Sequence, residues 1–314
     1  MSKNRMRSAI ELISALLLDL LKGKRNWWNV QQWVESVPEL KKLYRKDPQN
    51  FGDEGHWKLP PRDSWVKQPF SKERFPEFKL VFFHINKTAG MSFSRSLMES
   101  DLGKGHCFLS AVSVLKILWK QLDLLYPELN NDEKMVGFLN GLAQGLPRSM
   151  TTLQSHDFFH PRVMEAFKSR DDVMKVMWLR QPNRLVLSLF NFRKDQIRNS
   201  IQDWSINHLQ TDRLFKDVME VLAFKEWQNL MTQSLRGLRL EDFDFVGITE
   251  HFESDLAFLD QRLGNVGLKA KHQNRSTSSR PLELEEEKRL AEWNSEDWEL
   301  YRRALEMRQY RLSD

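Results

Sequence analysis

The residues best placed to do chemistry occupy one short stretch, from Lys87 to Ser92, and their types suit the binding of a phosphate. They follow an apolar run, Leu80–Ile85, whose aromatic and branched residues predict a buried strand. After them, the spacing of Phe93 and Leu97 predicts a helix. A loop between a strand and a helix start presents main-chain N–H groups and the positive end of the helix dipole, which together favour an anion. An ordinary turn with a solvated lysine is the alternative at this point.

The order of residues in the loop separates two kinds of phosphate-binding loop. The loop of nucleotide triphosphatases ends in Gly-Lys-Ser/Thr, whereas here Lys87 precedes Gly90. The order resembles instead the 5′-phosphosulfate loop of sulfotransferases that use 3′-phosphoadenosine 5′-phosphosulfate (PAPS). In their carbohydrate O-sulfotransferase branch, which includes heparan-sulfate-2-O-like enzymes, this loop usually has the sequence His-Ile-Pro-Lys-Thr-Ala-Gly-Thr-Ser, so Asn86 and Met91 depart from it. The resemblance assigns the donor phosphosulfate to Lys87, Thr88, Ala89, Gly90, Met91 and Ser92.

A second candidate anion-binding segment follows a second clear strand, predicted over residues 173–179. It comprises Arg180, Gln181 and Pro182, with Ser188 about two helical turns later. The segment resembles the 3′-phosphate motif of the same family, Leu-Arg-Asp-Pro followed by a helix with Arg and Ser, with Gln181 in place of the acid. An arginine can hold a phosphate through two hydrogen bonds, and the Ser188 hydroxyl is expected to reach the same anion. The alternative is a structural arginine that caps the sheet.

Three further segments resemble the family in the same order, so that the resemblance covers about residues 78–305. Residues 229–232 match its Asn-x-x-Thr helix, and residues 244–250 match its Phe-Val-Gly-Leu-Thr-Glu strand. Asn274 and Ser276 match its Asn-x-Ser loop, which closes over the nucleotide. The resemblance therefore implies that these two side chains also bind the donor.

The resemblance implies that a sulfuryl group passes in line from PAPS to an acceptor hydroxyl, without a metal. Lys87 is then expected to stabilise the charge on the leaving oxygen. His156 is the first candidate for the base, because it matches the histidine of the family's Gly-His-Phe-like segment and an ordinary histidine pKa is about 6.5. His160 is the second candidate. His84 is the third, since a histidine inside a buried strand is more often a core residue with satisfied hydrogen bonds.

The composition is that of a globular protein with a basic N-terminal segment. Hydrophobic residues make up 40% of the 314 positions and charged residues 29%. A single cysteine, Cys107, rules out an intrachain disulfide and a thiolate metal cluster. The net charge of +5 lies wholly in residues 1–70, which hold 13 basic and 8 acidic residues, because the remainder holds 35 of each. So modest an excess favours a solvated basic face over a nucleic-acid, membrane or acidic-glycan partner.

Strand patterns that alternate with helix patterns predict an α/β domain over residues 71–314. We expect a central parallel sheet with helices on both faces and a P-loop-like nucleotide site. A third strand is predicted over residues 243–248, and the stretch 137–145, with its glycines, is predicted to be looser. Helices are predicted over these ranges: 92–100, a segment around 114–122, most of 184–236, 253–263, and one long helix over 282–311.

Residues 1–70 are predicted to form an N-terminal extension rich in tryptophan, with an amphipathic helix over 6–22. No apolar run reaches the roughly 20 residues of a transmembrane helix, since the best candidate contains Glu11 and Asp19. Eukaryotic carbohydrate sulfotransferases usually carry an N-terminal membrane anchor. Its absence predicts a soluble, cytoplasmic enzyme of bacterial or phage type, and the alternative is a Golgi-lumen enzyme whose anchor is missing from this sequence.

Together these patterns predict an O-sulfotransferase with PAPS as co-substrate and no metal. The acceptor is predicted to be a glycan or another hydroxyl compound, and the oligomeric state stays open. A small-molecule kinase is one alternative, but it would need a metal-binding acid beside the loop, and no persuasive one is present. A nucleotide-binding module without turnover is the other, because Asn86, Met91 and Gln181 depart from the family pattern.

Overall fold

The computed structural model describes residues 59–109, 114–156, 159–198, 228–270 and 282–313. Their strands form one five-stranded parallel sheet in the order β2-β3-β1-β4-β5. The predicted α/β fold around a central parallel sheet is therefore confirmed. The strands are β1 (Leu80–Phe83), β2 (His106–Leu109), β3 (Thr152–Ser155), β4 (Met174–Leu179) and β5 (Phe245–Ile248).

Helices connect the strands and cover the sheet. In the described ranges they are α1 (Gly90–Glu99), α2 (Val114–Leu125), α3 (Asn131–Gly145), α4 (Pro161–Ala166), α5 (Pro182–Arg198), α6 (Leu230–Leu235), α7 (Phe252–Arg262), α8 (Leu284–Trp293) and α9 (Ser295–Ser313). The predicted amphipathic helix over residues 6–22 lies outside the described residues.

The central strand β1 is buried on both faces, which explains why its sequence is apolar without alternation. Leu80 and Phe82 point to one side, where they pack with residues of α1 and α7. Val81 and Phe83 point to the other side, where they pack with residues of α2, α3 and α5. The sheet is therefore a middle layer between two apolar cores.

The topology brings the ends of three strands to one edge of the sheet. β1 lies between β3 and β4, and Phe83 is level with both Ser155 and Met177. The chain leaves β1 towards β2 and β3 on one side and then crosses to β4 on the other. Ligands of open parallel sheets bind at the carboxyl ends of the strands where the order reverses in this way. The segments that follow Phe83, Ser155 and Leu179 meet at this edge.

The structure corrects two of the predicted elements. The stretch with glycines at 137–145 belongs to the regular helix α3, which begins with a capping box between Asn130 and Glu133. The single long helix predicted over 282–311 is divided into α8 and α9 at Asn294. The Asn294 side chain accepts a hydrogen bond from the main-chain N–H of Asn229 (2.9 Å), so a contact with a distant segment fixes the break.

Part of the segment that precedes β1 is anchored in the core. Phe70, Phe75 and Phe78 are fully buried. The guanidinium of Arg170, itself buried, donates hydrogen bonds to the main-chain carbonyls of all three. A domain boundary at residue 70 stays a prediction.

Within the described ranges, none of the helices combines the length and the apolar character that crossing a membrane requires.

Candidate anion-binding and catalytic site

The loop between β1 and α1 has an unusual backbone. Lys87 and Ala89 both adopt the left-handed region, with φ angles of 67° and 66°. Such conformations cost energy in residues other than glycine and are found at ligand clamps. The buried Thr88 stabilises the turn, because its hydroxyl donates to the carbonyl of Ile85 (2.8 Å). The loop is thereby held in one shape at the start of α1.

Gly90 is required here for space. Its φ lies outside the positive range that favours glycine. An added Cβ atom would lie 1.5 Å from Nε2 of His84, which is an impossible contact. The imidazole of His84 therefore sits directly beneath the first residue of α1.

Arg180 joins the end of β4 to this loop. Its Nη1 donates to the main-chain carbonyl of Lys87 (3.1 Å), so the two predicted anion-binding segments are in direct contact. Its Nε is buried and has no hydrogen-bond partner among the residues that the structure describes. Burial lowers the pKa of Arg180, and the negative charge of Glu250 opposes that effect. A buried donor without an acceptor costs about 1–3 kcal/mol, which an anion bound beside it would remove.

The end of β5 holds the chain on both sides of Arg180. The Thr249 hydroxyl donates to the carbonyl of Leu179 (2.8 Å). Glu250 Oε2 accepts hydrogen bonds from the main-chain N–H of Gln181 (3.2 Å) and from the hydroxyl of Tyr301 (3.0 Å). Burial, followed by the charge of Glu250, raises the pKa of Tyr301, which keeps its phenol protonated as the donor. These contacts fix the main chain on both sides of Arg180, from which its side chain extends.

His156 follows β3 directly and has a defined tautomer. Its Nδ1 lies 2.9 Å from the main-chain carbonyl of His84. Because a carbonyl only accepts, Nδ1 carries the proton and Nε2 is the basic nitrogen. Burial lowers the pKa of His156, and the hydrogen bond to His84 partly offsets this. The ring is therefore neutral at physiological pH, as a general base must be.

His84 lies between His156 and a chain of buried polar groups. The two imidazole rings have centroids 3.9 Å apart. On its other side, Nδ1 of His84 lies 3.2 Å from Nε2 of Gln154, whose Oε1 accepts from the Ser94 hydroxyl (2.5 Å). Burial, and then the charges on His156 and Lys87, lower the pKa of His84 well below its ordinary value. His84 is therefore a neutral neighbour of the candidate base, with its Nδ1 hydrogen-bonded to Gln154.

The other predicted site residues lie on α1, α5 and before α4, or outside the described residues. Met91 is half exposed at the first turn of α1, and Ser92 beside it is almost buried. Ser188 lies on α5, half-buried, two turns after Arg180. His160 occupies the N-cap of α4. Its Nδ1 accepts a hydrogen bond from the main-chain N–H of Arg162 (3.1 Å), so its ring caps the helix. The predicted nucleotide-closing loop with Asn274 and Ser276 lies outside the described residues.

Sequence reasoning missed two residues of this site, Gln154 and Ser94. Both are buried polar residues whose partners lie far away in the sequence, on a short strand and on α1. A polar residue in a four-residue strand gives no periodic signal. In the described part of the chain, no three His, Cys, Asp or Glu side chains lie close enough together to hold a metal ion.

Similarity of this chain to known proteins is found among solved structures. No family model matches the chain, and no curated protein matches it. Among solved structures, the chain is similar to one titled "Crystal Structure of Sulfotransferase from Alicyclobacillus acidocaldarius". The two share 14% sequence identity, the match covers 69% of this chain and 91% of the other, and the TM-score is 0.37. A similarity of this size does not assign an activity to the chain.

Proposed function

We propose that this protein is a PAPS-dependent O-sulfotransferase. The single observation that carries the proposal is the hydrogen bond from Arg180 to the carbonyl of Lys87, which brings two anion-binding segments together at the edge where the strands end. One ligand with two separate anionic groups suits such a site. PAPS has this form, with a phosphosulfate at one end of an adenosine and a 3′-phosphate on its ribose.

The donor is proposed to bind in one orientation. The loop from Lys87 to Ser92 would hold the 5′-phosphosulfate, since its N–H groups lie at the start of α1. Arg180, with its unpartnered Nε, and Ser188 would hold the 3′-phosphate. The support for this assignment is the motif order together with the buried, charged donor at the end of β4.

The proposed reaction uses three groups. The acceptor hydroxyl oxygen forms a bond to sulfur while the bond between sulfur and the 5′-phosphate oxygen breaks. The electron pair of that bond remains on the phosphate, which leaves as 3′-phosphoadenosine 5′-phosphate (PAP), and Lys87 stabilises its developing charge. The hydroxyl proton passes to Nε2 of His156, the nitrogen that the contact with His84 leaves unprotonated. A carbohydrate hydroxyl is the proposed acceptor, on the strength of the sequence resemblance alone.

A transfer assay with a matched lysine control tests this function. The full chain is incubated with sulfur-labelled PAPS and mixed glycans, and PAP binding is measured by calorimetry. Lys87→Ala should reduce turnover about 100- to 1,000-fold, as the loss of a charge-stabilising donor does. Lys79→Ala removes an exposed lysine just before β1, at the end of the strand opposite to the loop. Its turnover should stay within about two-fold of the wild type.

Two results would contradict the proposal. If the wild type neither binds PAP nor transfers label, the site does not bind PAPS. If PAP binds but no acceptor is labelled, with or without magnesium, the chain is a nucleotide-binding module and the catalytic assignments are wrong.

A further inference from the structure

The buried polar chain beneath the phosphate loop is unusual in its position. Ser94, Gln154 and His84 are each at most 5% exposed and lie among apolar side chains of the two cores. Burying polar groups costs free energy even when they are hydrogen-bonded, and an apolar replacement of the same shape is often neutral or stabilising. Three such residues in contact, ending beside the candidate base, indicate a functional reason for their retention.

The chain of hydrogen bonds connects α1 with the end of β1. The Ser94 hydroxyl reaches Gln154 Oε1 and also lies 2.8 Å from the carbonyl of Gly90, the first residue of α1. The Gln154 amide then reaches Nδ1 of His84 (3.2 Å). Because Gln154 lies on the rigid strand β3, these contacts fix the plane of the His84 ring against the loop.

The His84 ring is packed on three sides. Phe82 stacks on it with ring centroids 5.2 Å apart, and His156 lies against it at 3.9 Å. Gly90 leaves room for Nε2 where any other residue would collide with it. The ring therefore fills the space between the proposed base and the loop proposed to hold the donor.

We propose that His84 is a positioning residue. Its imidazole is held by the hydrogen-bonded pair Gln154 and Ser94, and it fixes the position of the His156 ring relative to the loop at Gly90. This inference rests on the proposed function, because it assigns His84 a task in that reaction. The distance between the base and the donor is then built into the fold by a residue that touches neither substrate. Misplacing a reacting group by about 1 Å can reduce a rate about 100-fold, so such a device affects turnover strongly.

A pair of substitutions separates positioning from simple packing. His84→Asn keeps a polar atom near the place of Nδ1, where Gln154 can still bond to it, whereas His84→Leu keeps the bulk and loses the hydrogen bond. We expect His84→Leu to lower kcat about 100-fold, counted per PAP-binding site. His84→Asn should recover most of that loss, and PAP affinity should change much less than kcat in both variants.

Thr152→Val provides a matched control. It removes the hydrogen bond between Thr152 and His106 (2.6 Å) at the opposite end of β3, so it should lower stability while kcat is unchanged. A second readout needs no activity. The main-chain carbonyl of residue 84 remains in every variant, so the readout is the position of the His156 ring and not its tautomer. NMR signals of the His156 ring should be sharp in the wild type and in His84→Asn, and broadened by exchange between ring positions in His84→Leu.

The outcomes distinguish this inference from the proposed function. If His84→Leu retains wild-type kcat, or if Thr152→Val loses kcat equally, His84 is a packing residue and the inference is wrong, while sulfotransfer stands. If the wild type neither binds PAP nor transfers label, the proposed function is wrong. The inference would be wrong, whatever the fate of the proposed function, if the His156 ring kept sharp, wild-type signals in His84→Leu.

Discussion

The adjacent rings of His84 and His156 should take up no more than one additional proton, and so carry no more than one positive charge between them, as the pH falls. Their ring centroids are 3.9 Å apart. Two unit charges at that separation repel each other by about 4 kcal/mol at an effective dielectric constant of 20. Burial already lowers the pKa of both rings, so both burial and charge repulsion oppose the second protonation.

The perturbation is a titration from pH 8 to pH 4, and side-chain nitrogen NMR monitors the protonation of each ring. His156 should accept the first proton, at a pH below the ordinary histidine value of about 6.5, and His84 should stay neutral. His156→Phe removes the repelling charge and keeps the burial, so the pKa of His84 should rise in that variant. The same variant should have no transfer activity, and in the wild type the acid limb of the rate profile should lie below pH 6.5.

The sign of the stability effect follows from the same shifts. Unfolded histidines have ordinary pKa values, so below about pH 6.5 the unfolded chain binds more protons than the folded chain. The free energy of unfolding should therefore decrease as the pH falls from 6.5 through the lowered pKa values of the folded state. Two independent titration curves near pH 6.5, one for each ring, would refute the reasoning, because they would show that the rings are neither buried together nor coupled.

Two further substitutions test the anion site and the space beneath it. Arg180→Ala should weaken PAP binding about 10- to 100-fold, as expected for lost charge-assisted hydrogen bonds. Binding of adenosine 5′-phosphate, which lacks the 3′-phosphate, should weaken much less. Equal losses for the two ligands would contradict the assignment of Arg180 to the 3′-phosphate. Gly90→Ala should destabilise the protein by about 1–3 kcal/mol through overpacking against His84. Denaturant unfolding of the double variant with His84→Ala should show most of that loss relieved, and strictly additive losses would contradict the contact.

The sequence was most informative where one strand is buried on both faces. β1 and β4 lie inside the sheet, and their apolar runs predicted them correctly, unbroken in β1 and interrupted only by Lys175 in β4. β2 and β3 were missed because polar side chains interrupt their apolar residues, His106 in β2 and Thr152 and Gln154 in β3. The polar groups of β3 are stabilised by His106 and His84, partners that no local pattern reveals.

The contact between the two predicted anion-binding segments followed from topology. Strand ends of a parallel sheet meet at one edge, so a loop after β1 and an arginine after β4 had to come together once the strands were adjacent. The polar chain from Ser94 to His84 could not be predicted in this way. It depends on side chains 60 and 70 residues apart in the sequence, and on the absence of a single Cβ atom.

The single glycine of the loop shows how the site differs from loops that use glycine for backbone freedom. Lys87 and Ala89 take the left-handed conformations that glycine would adopt at less cost. The glycine itself is placed where its backbone needs no such freedom, above the His84 ring. The strained turn is held by the hydroxyl of Thr88 and by the hydrogen bond from Arg180, so its shape depends on both of the predicted anion-binding segments. A lysine at a left-handed position therefore has its main chain fixed before any ligand binds, which is the preorganisation that electrostatic stabilisation of a leaving group requires.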